Sequence, residues 1–249
     1  MSPAEILAVL GVGLVAGTIN TVVGSGSLVT FPTLLAIGFS PLVANVSNTL
    51  GLVPGSLSGV VAYRRELAGQ GRRVALLASM PILGGVAGGL LLLQLPGSIF
   101  RHVVPVLILA ACILVAIQPR LARRLSQRGR RRRHGGPGLF STVFASSVYG
   151  GYFGAAQGVI LISLLGIFID EDIQRLNATK NVMALLANGS AAVVFMIASR
   201  ISYEAAGCIA LGSIVGGQLG GTVGRRLPAP LLRAVIIVVG LVAVVALLA

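Results

Sequence analysis

A single lysine stands among eighteen arginines in this chain, inside Asn177-Ala178-Thr179-Lys180-Asn181. An ammonium can hold an anion, and the amides beside it can orient one. Asn177, Lys180, Asn181 and Asn188 are spaced i, i+3, i+4 and i+11, so all four project from one face of a helix. The surrounding helix-compatible stretch runs from Glu171 to Ser199. Lys180 lies roughly nine residues, or about 13 Å, past its acidic start, which is deep enough to fall below a membrane surface. A charge at that depth costs at least about 2.5 kcal/mol, which marks it as functional by default. The competing reading is a lysine that snorkels to the interface and pairs with Asp170 or Asp172.

The polar face has a counterpart 132 residues earlier, where Asn45, Asn48, Thr49 and Ser56 repeat it position for position. The same offset aligns Gly26 with Gly158, and Gly84, Gly85, Gly88 and Gly89 with Gly216, Gly217, Gly220 and Gly221. It also aligns Leu95, Pro96 and Arg101 with Leu227, Pro228 and Arg233. Three separate segments in one ungapped register define an internal repeat. A second chemistry follows from the two interruptions Gly24-Ser25-Gly26-Ser27 and Ala155-Ala156-Gln157-Gly158. Glycines let backbone N–H groups approach a ligand, and helices starting there present a partial positive field to an anion. Asn20, Thr21, Ser25, Ser27 and Gln157 add side-chain donors. The glycine clusters beyond the interruptions read as close-packing surfaces between membrane helices.

Composition narrows the class. Hydrophobic residues make up 55%, charged residues 10%, and the mean hydropathy is +0.97. That is too apolar for a soluble domain, and the apolar runs approach spanning length. The expectation is an all-α polytopic membrane protein whose first apolar segment, lacking a positive n-region, is retained. The net charge of +13 and the basic run from Arg128 to Arg133 carry no aromatic interleaving, so they fit orientation of loops and not nucleic acid. All six acidic residues fall at segment ends, and His102 and His134 lie in or beside loops, which gives no catalytic pairing and no metal-ligand spacing. Cys112 and Cys208 occupy non-equivalent apolar positions, so packing is their default role. The chain is expected to be no enzyme and to need no cofactor.

In order, residues 6–23 and 28–37 form one broken element, followed by spans near 42–62, 74–93 and 103–117. An arginine-rich connector covers 118–137. The second half repeats the plan as 138–154, 159–169, 171–199, 204–223 and 233–249. The domains are therefore a first membrane repeat, 1–117, the connector, 118–137, and a second membrane repeat, 138–249. If each broken element crosses once, the repeats are parallel; if it turns back, they are inverted. Lys and Arg concentrate in cytoplasmic loops. Inversion with a cytoplasmic connector leaves only Arg101 and Arg200 outside, whereas the parallel arrangement leaves six basic residues there. The expected fold is thus two five-segment inverted repeats, eight full spans plus glycine-broken hairpins, with both termini outside.

Two motifs carry a resemblance. Ala16-Gly17-Thr18-Ile19-Asn20 leads to Gly24-Ser25-Gly26-Ser27 and Phe31-Pro32, and Tyr149-Gly150-Gly151-Tyr152-Phe153-Gly154 leads to Asn177-Ala178-Thr179-Lys180-Asn181. The sequence resembles the sulfite exporter (TauE/SafE) family of bacterial membrane proteins over nearly its whole length. Family members often have proline where Ser163 stands here, and a glycine-richer second interruption. The resemblance implies transport of a small sulfur-containing anion, such as sulfite or an organosulfonate, across the inner membrane and outward. Inverted repeats with interrupted segments place such a site at the repeat interface. The residues expected to bind the anion are Asn20, Thr21, Gly24, Ser25, Gly26, Ser27, Asn45, Asn48, Thr49, Gln157, Gly158, Asn177, Thr179, Lys180 and Asn181. Partners are the anion and the bilayer, with the oligomeric state left open. A passive anion channel or a scaffold subunit without transport are the competing classes.

Overall fold

The computed structural model describes residues 1–94, 97–126, 137–223 and 229–248. The repeat matches at Leu95, Pro96, Leu227 and Pro228, most of the connector's arginine run, Arg225, Arg226 and Ala249 lie outside them. Among the described residues every regular element is a helix. They are α1 (Pro3–Val22), α2 (Ser27–Ala36), α3 (Pro41–Ala62), α4 (Arg64–Leu67), α5 (Gly71–Leu77), α6 (Ser79–Gln94) and α7 (Gly97–Ser126). After the connector come α8 (Pro137–Tyr152), α9 (Gln157–Phe168), α10 (Ile173–Ala198), α11 (Tyr203–Thr222) and α12 (Ala229–Leu248).

Local chemistry sets these boundaries. Ser2 and Glu5 form a reciprocal capping box with Pro3 at the first helical position, which launches α1. Asp172 caps α10 by accepting from the Gln174 N–H at 2.8 Å, and Ser202 caps α11. The expected span 74–93 is divided between α5 and α6 at Ala78. Pro81 explains the division, because it supplies no N–H for the Leu77 carbonyl. The segment 103–117 belongs to a longer helix that continues to Ser126, into the stretch assigned to the connector. Arg, Leu and Ala there are strong helix formers, so the helix runs past the apolar core of the segment.

Two three-helix groups organise the bundle. α11 packs between α1 and α3, with Gly13 and Gly51 against Ile209, Gly17 and Gly55 against Ser213, and Gly221 against Ala62. Residue numbers rise together along all three helices, so they run in one direction. α6 packs in the same way between α8 and α10, with Gly84 against Phe144, Gly88 against Val148, and Gly85 against Ala187. Both sets of glycine clusters therefore serve close helix packing. The groups meet where α3 lies against α10 in the opposite direction. Tyr63, just past the end of α3, donates to Gln174 at the start of α10, while Ser47 near the start of α3 accepts from the N–H of Ser202, beyond the end of α10.

The interruptions that follow α1 and α8 meet each other. Phe31 and Phe153 meet edge to face there, with ring centroids 5.3 Å apart. They belong to a buried apolar cluster that also takes in Leu28, Val159 and Phe195.

Candidate functional site

The site begins with the end of a helix. The last carbonyls of a helix lack intrahelical partners and carry its negative pole. At the end of α1 the Ile19 carbonyl is taken by the N–H groups of Val23 and Gly24. The next two, on Asn20 and Thr21, accept from α10. Lys180 Nζ donates to both at 3.2 Å, and the amides of Asn177 and Asn181 donate to Thr21 O at 3.2 and 3.3 Å. Lys180 is 0% exposed. Its ammonium is thus held by a foreign helix end and neither by Asp170 nor by Asp172. An ammonium has three N–H groups, so these two contacts leave one for a further acceptor.

The end of α8 is held in a related but weaker way. The Asn45 amide donates to Tyr152 O at 3.0 Å. Asn48, which stands at the repeat position of Lys180, turns to the start of α2 instead. It donates to Ser27 Oγ at 3.1 Å and accepts a short bond from the Thr30 hydroxyl.

The two interruptions touch. Gly158 N–H donates to the Gly24 carbonyl at 3.0 Å, and a Cβ on either glycine would overlap the Cα of the other. Gly24 has φ +86°, a conformation that costs an L side chain roughly 1–2 kcal/mol, so its position excludes a side chain on two counts. The second interruption turns through Gly154 at φ +76° and Ala156 at φ +59°. α2 and α9 then start at this crossing with no side-chain cap on either N-terminus.

Among the described residues, several buried polar atoms around the crossing have no hydrogen-bond partner. They are Ser25 Oγ, both amide atoms of Gln157, and the Oδ1 atoms of Asn45 and Asn177. These four side chains are at most 4% exposed. A buried unpaired polar group costs about 1–3 kcal/mol, so four residues carrying such atoms in one region is an arrangement that a polar ligand would relieve.

Most residues expected from the sequence therefore converge, with different partners than expected. Asn20 donates to Ser56 Oγ at 3.2 Å, and Gly26 O accepts within the first turn of α2. Thr49 stays within its own helix, bonded to Asn45 O at 2.9 Å. Thr179 points away from the crossing to Gln70 Oε1 at 2.9 Å. Gln70 is one residue the pattern did not mark. It joins the loop after α4 to α10, donating to Arg175 O and accepting from Arg73, while Arg73 and Arg175 share Glu171. Thr30 and Tyr149, whose hydroxyl donates to Ala155 O at 2.6 Å, also hold the hairpins. Tyr149 stood in a quoted motif, whereas Gln70 and Thr30 lie outside the repeated polar positions.

Comparison with known proteins gives the family. The family model for sulfite exporter TauE/SafE matches residues 9–247. The chain belongs to that family. It is 26% identical to the probable membrane transporter protein YfcA of Escherichia coli (strain K12), over 97% of this chain and 89% of that protein. It is 29% identical to a probable membrane transporter protein of Haemophilus influenzae (strain ATCC 51907 / DSM 11121 / KW20 / Rd), over 87% and 84%. A probable membrane transporter protein, ORF9, of Sinorhizobium sp is 26% identical over 94% and 89%. No solved structure matches. The chain is accordingly a multi-pass membrane protein of a transporter family, and among its described helices Pro3–Val22, the α5–α6 pair Gly71–Gln94 and Ile173–Ala198 are each long and apolar enough to cross a bilayer.

Proposed function

We propose that this TauE/SafE protein is a secondary transporter that moves a small anion, of the sulfur oxyanion or organosulfonate class, outward across a bacterial inner membrane. The observation that carries the reading is the crossing of the two hairpins, where buried polar atoms without partners lie beside two uncapped helix N-termini and a lysine. Ser25 and the Gln157 amide supply donors, and Lys180 supplies charge. Asn45, Asn48, Asn177 and Asn181 fix the hairpin ends against which the anion is held. An inside-negative potential favours anion export by about 2.3 kcal/mol per charge per 100 mV, so transport needs no coupling carboxylate.

The repeats are read as inverted, with eight full spans and two broken hairpins. The support is directional: α3 and α10 occupy the same register position in the two repeats, and their contacts through Tyr63 with Gln174 and Ser47 with Ser202 run in opposite senses. On this reading the end that carries Arg64, Arg65, Arg72, Arg73 and Arg175 is cytoplasmic, and both termini are outside. Transport then proceeds by separation of the hairpins on one side at a time.

Purified protein in liposomes tests the function. Saturable sulfite or methanesulfonate flux with counterflow supports the transporter; steady conductance without saturation would replace it with a channel, and no flux with a folded protein would replace it with a scaffold. Cysteine accessibility at Ser2 tests orientation, since labelling from the cytoplasmic side would overturn the inverted arrangement.

A further inference from the structure

A surface cavity of about 480 Å³ lies away from the hairpin crossing, between the end of α3, the start of α4 and the end of α11. Arg64, Arg65, Gln218 and Thr222 line it, with Gly221 among the walls. Both arginines are exposed, and among the described residues neither has a carboxylate within ion-pair distance. Glu66 is the one acidic residue in the lining, with Oε2 buried, so the cavity keeps a net positive charge. A second feature points to what fills it. On the helices that lead up to the cavity, Leu57 and Val61 on α3 and Val215, Leu219 and Val223 on or next to α11 are all exposed. Leu57 and Val61 are one turn apart and lead directly to Arg64 and Arg65, while Val215, Leu219 and Val223 form an i, i+4, i+8 row alongside Gln218 and Thr222. A polar cationic recess thus sits at the head of an apolar track.

We infer that this recess binds the phosphodiester headgroup of an anionic phospholipid, whose acyl chains lie along the exposed rows of α3 and α11. Guanidinium groups match phosphate oxygens in charge and geometry. The apolar rows match hydrocarbon, and a free phosphate would leave them unused. Basic residues at a membrane surface attract anionic lipid by an amount that roughly corresponds to a several-fold change in affinity each. The site is independent of the transported substrate.

The test is native mass spectrometry of the detergent-purified full chain, titrated with phosphatidylglycerol or phosphatidylcholine of the same acyl composition. Phosphatidylglycerol should be retained at lower concentration than phosphatidylcholine, and Arg64→Gln with Arg65→Gln together should weaken its retention by roughly tenfold or more. Arg72→Gln, which removes a charge outside the cavity, should leave retention unchanged. Leu57→Gln, which puts a polar group in the apolar row, should also weaken retention of phosphatidylglycerol. Equal retention of the two lipids, or an equal loss from Arg72→Gln, would overturn the proposal. So would displacement of the lipid by inorganic phosphate, since the recess would then be a soluble-anion site. Circular dichroism of each variant separates loss of the site from loss of the fold.

Discussion

The ends of α1 and α8 stand at matching places in the 132-residue sequence register but are held with different strength. At α1, one ammonium and two amides from α10 converge on the carbonyls of Asn20 and Thr21. At α8, the Asn45 amide reaches Tyr152 O, and the residue at the lysine position, Asn48, serves Ser27 and Thr30 of the neighbouring half-helix. An asparagine from the other half of the chain thus serves both ends, while a charge serves only one. An ammonium on two carbonyls is a stronger helix-end partner than an amide on one, because a charged donor roughly doubles the strength of a hydrogen bond. The difference extends outward. Beyond α1 lies the Gln70 bridge and the Arg73–Glu171–Arg175 cluster, whereas at the opposite end the described residues give the bond from Ser202 N–H to Ser47 and the exposed ion pair of Met1 with Glu204. The end with the lysine is the more firmly tied, so the opposite end is expected to open more readily.

The largest expected effect falls on what the two hairpins share. Gly24→Ala introduces a Cβ both at positive φ and into the Gly158 backbone, so it should lower stability by about 2–5 kcal/mol. Gly38 has φ +99° with open space around it, and Gly38→Ala should cost only the conformational part, roughly 1–2 kcal/mol. Thermal melts in detergent compare the two. Equal shifts would mean that the hairpins do not depend on each other at the crossing.

Lys180→Met comes next. It should abolish saturable anion flux and also lower the melting temperature, because two buried carbonyls lose a charged donor, at about 1–3 kcal/mol. Asn48→Leu, at the equivalent position, should affect the α2 start and leave the α1 end intact. Lys180→Arg should rescue only partly, since a planar fork replaces a compact charge. Unchanged flux in Lys180→Met would reduce the lysine to a helix-end tie and confine the site to the interruptions.

The outer ties are weaker. Glu171→Gln leaves Arg73 and Arg175 without their shared carboxylate, and partial exposure limits the loss to about 1 kcal/mol. Its sharper readout is accessibility: a cysteine at Thr179 should react faster with an aqueous thiol reagent in Glu171→Gln than in the unaltered background. A rate that does not change would show that this cluster does not close that end.

How much of this was legible follows from what a sequence can mark. Asparagines and a lysine at helical spacing, glycine interruptions and glycine clusters are residue types in positions, and the structure brings most of them to the crossing or to close helix contacts. Their partners were not legible, because the acceptors on Asn20, Thr21 and Tyr152 are backbone carbonyls and every residue has one. The sequence offers the lysine an anion or Asp170 and Asp172 as partners, and the structure gives it a helix end. Pro81 did carry the signal for the division between α5 and α6, which the apolar run 74–93 concealed. Gln70 carried none, since one glutamine in a basic loop forms no period. The extension of α7 past 117 was hidden because a change from apolar to basic composition ends a span without ending a helix.

The smallest effect gives the sharpest test of the crossing as a binding site. Ser25 is fully buried, and its Oγ has no partner. If that hydroxyl serves only the fold, Ser25→Ala removes a buried polar atom that gains nothing, and the protein should become more stable, by up to about 1 kcal/mol. If it also serves an anion, the same substitution should weaken anion binding by a similar amount, about one neutral hydrogen bond. The expected signature is therefore a raised melting temperature without substrate together with a smaller stabilisation on adding sulfite, because stabilisation by a ligand scales with the logarithm of its affinity. Asn20→Ala should show the opposite without substrate, since its amide is already bonded to Ser56 and that bond is lost. A Ser25→Ala protein that is destabilised, or that gains as much from sulfite as the unaltered chain, would show that the hydroxyl does not serve the anion, and the ligand would have to be sought on the Gln157 side of the crossing.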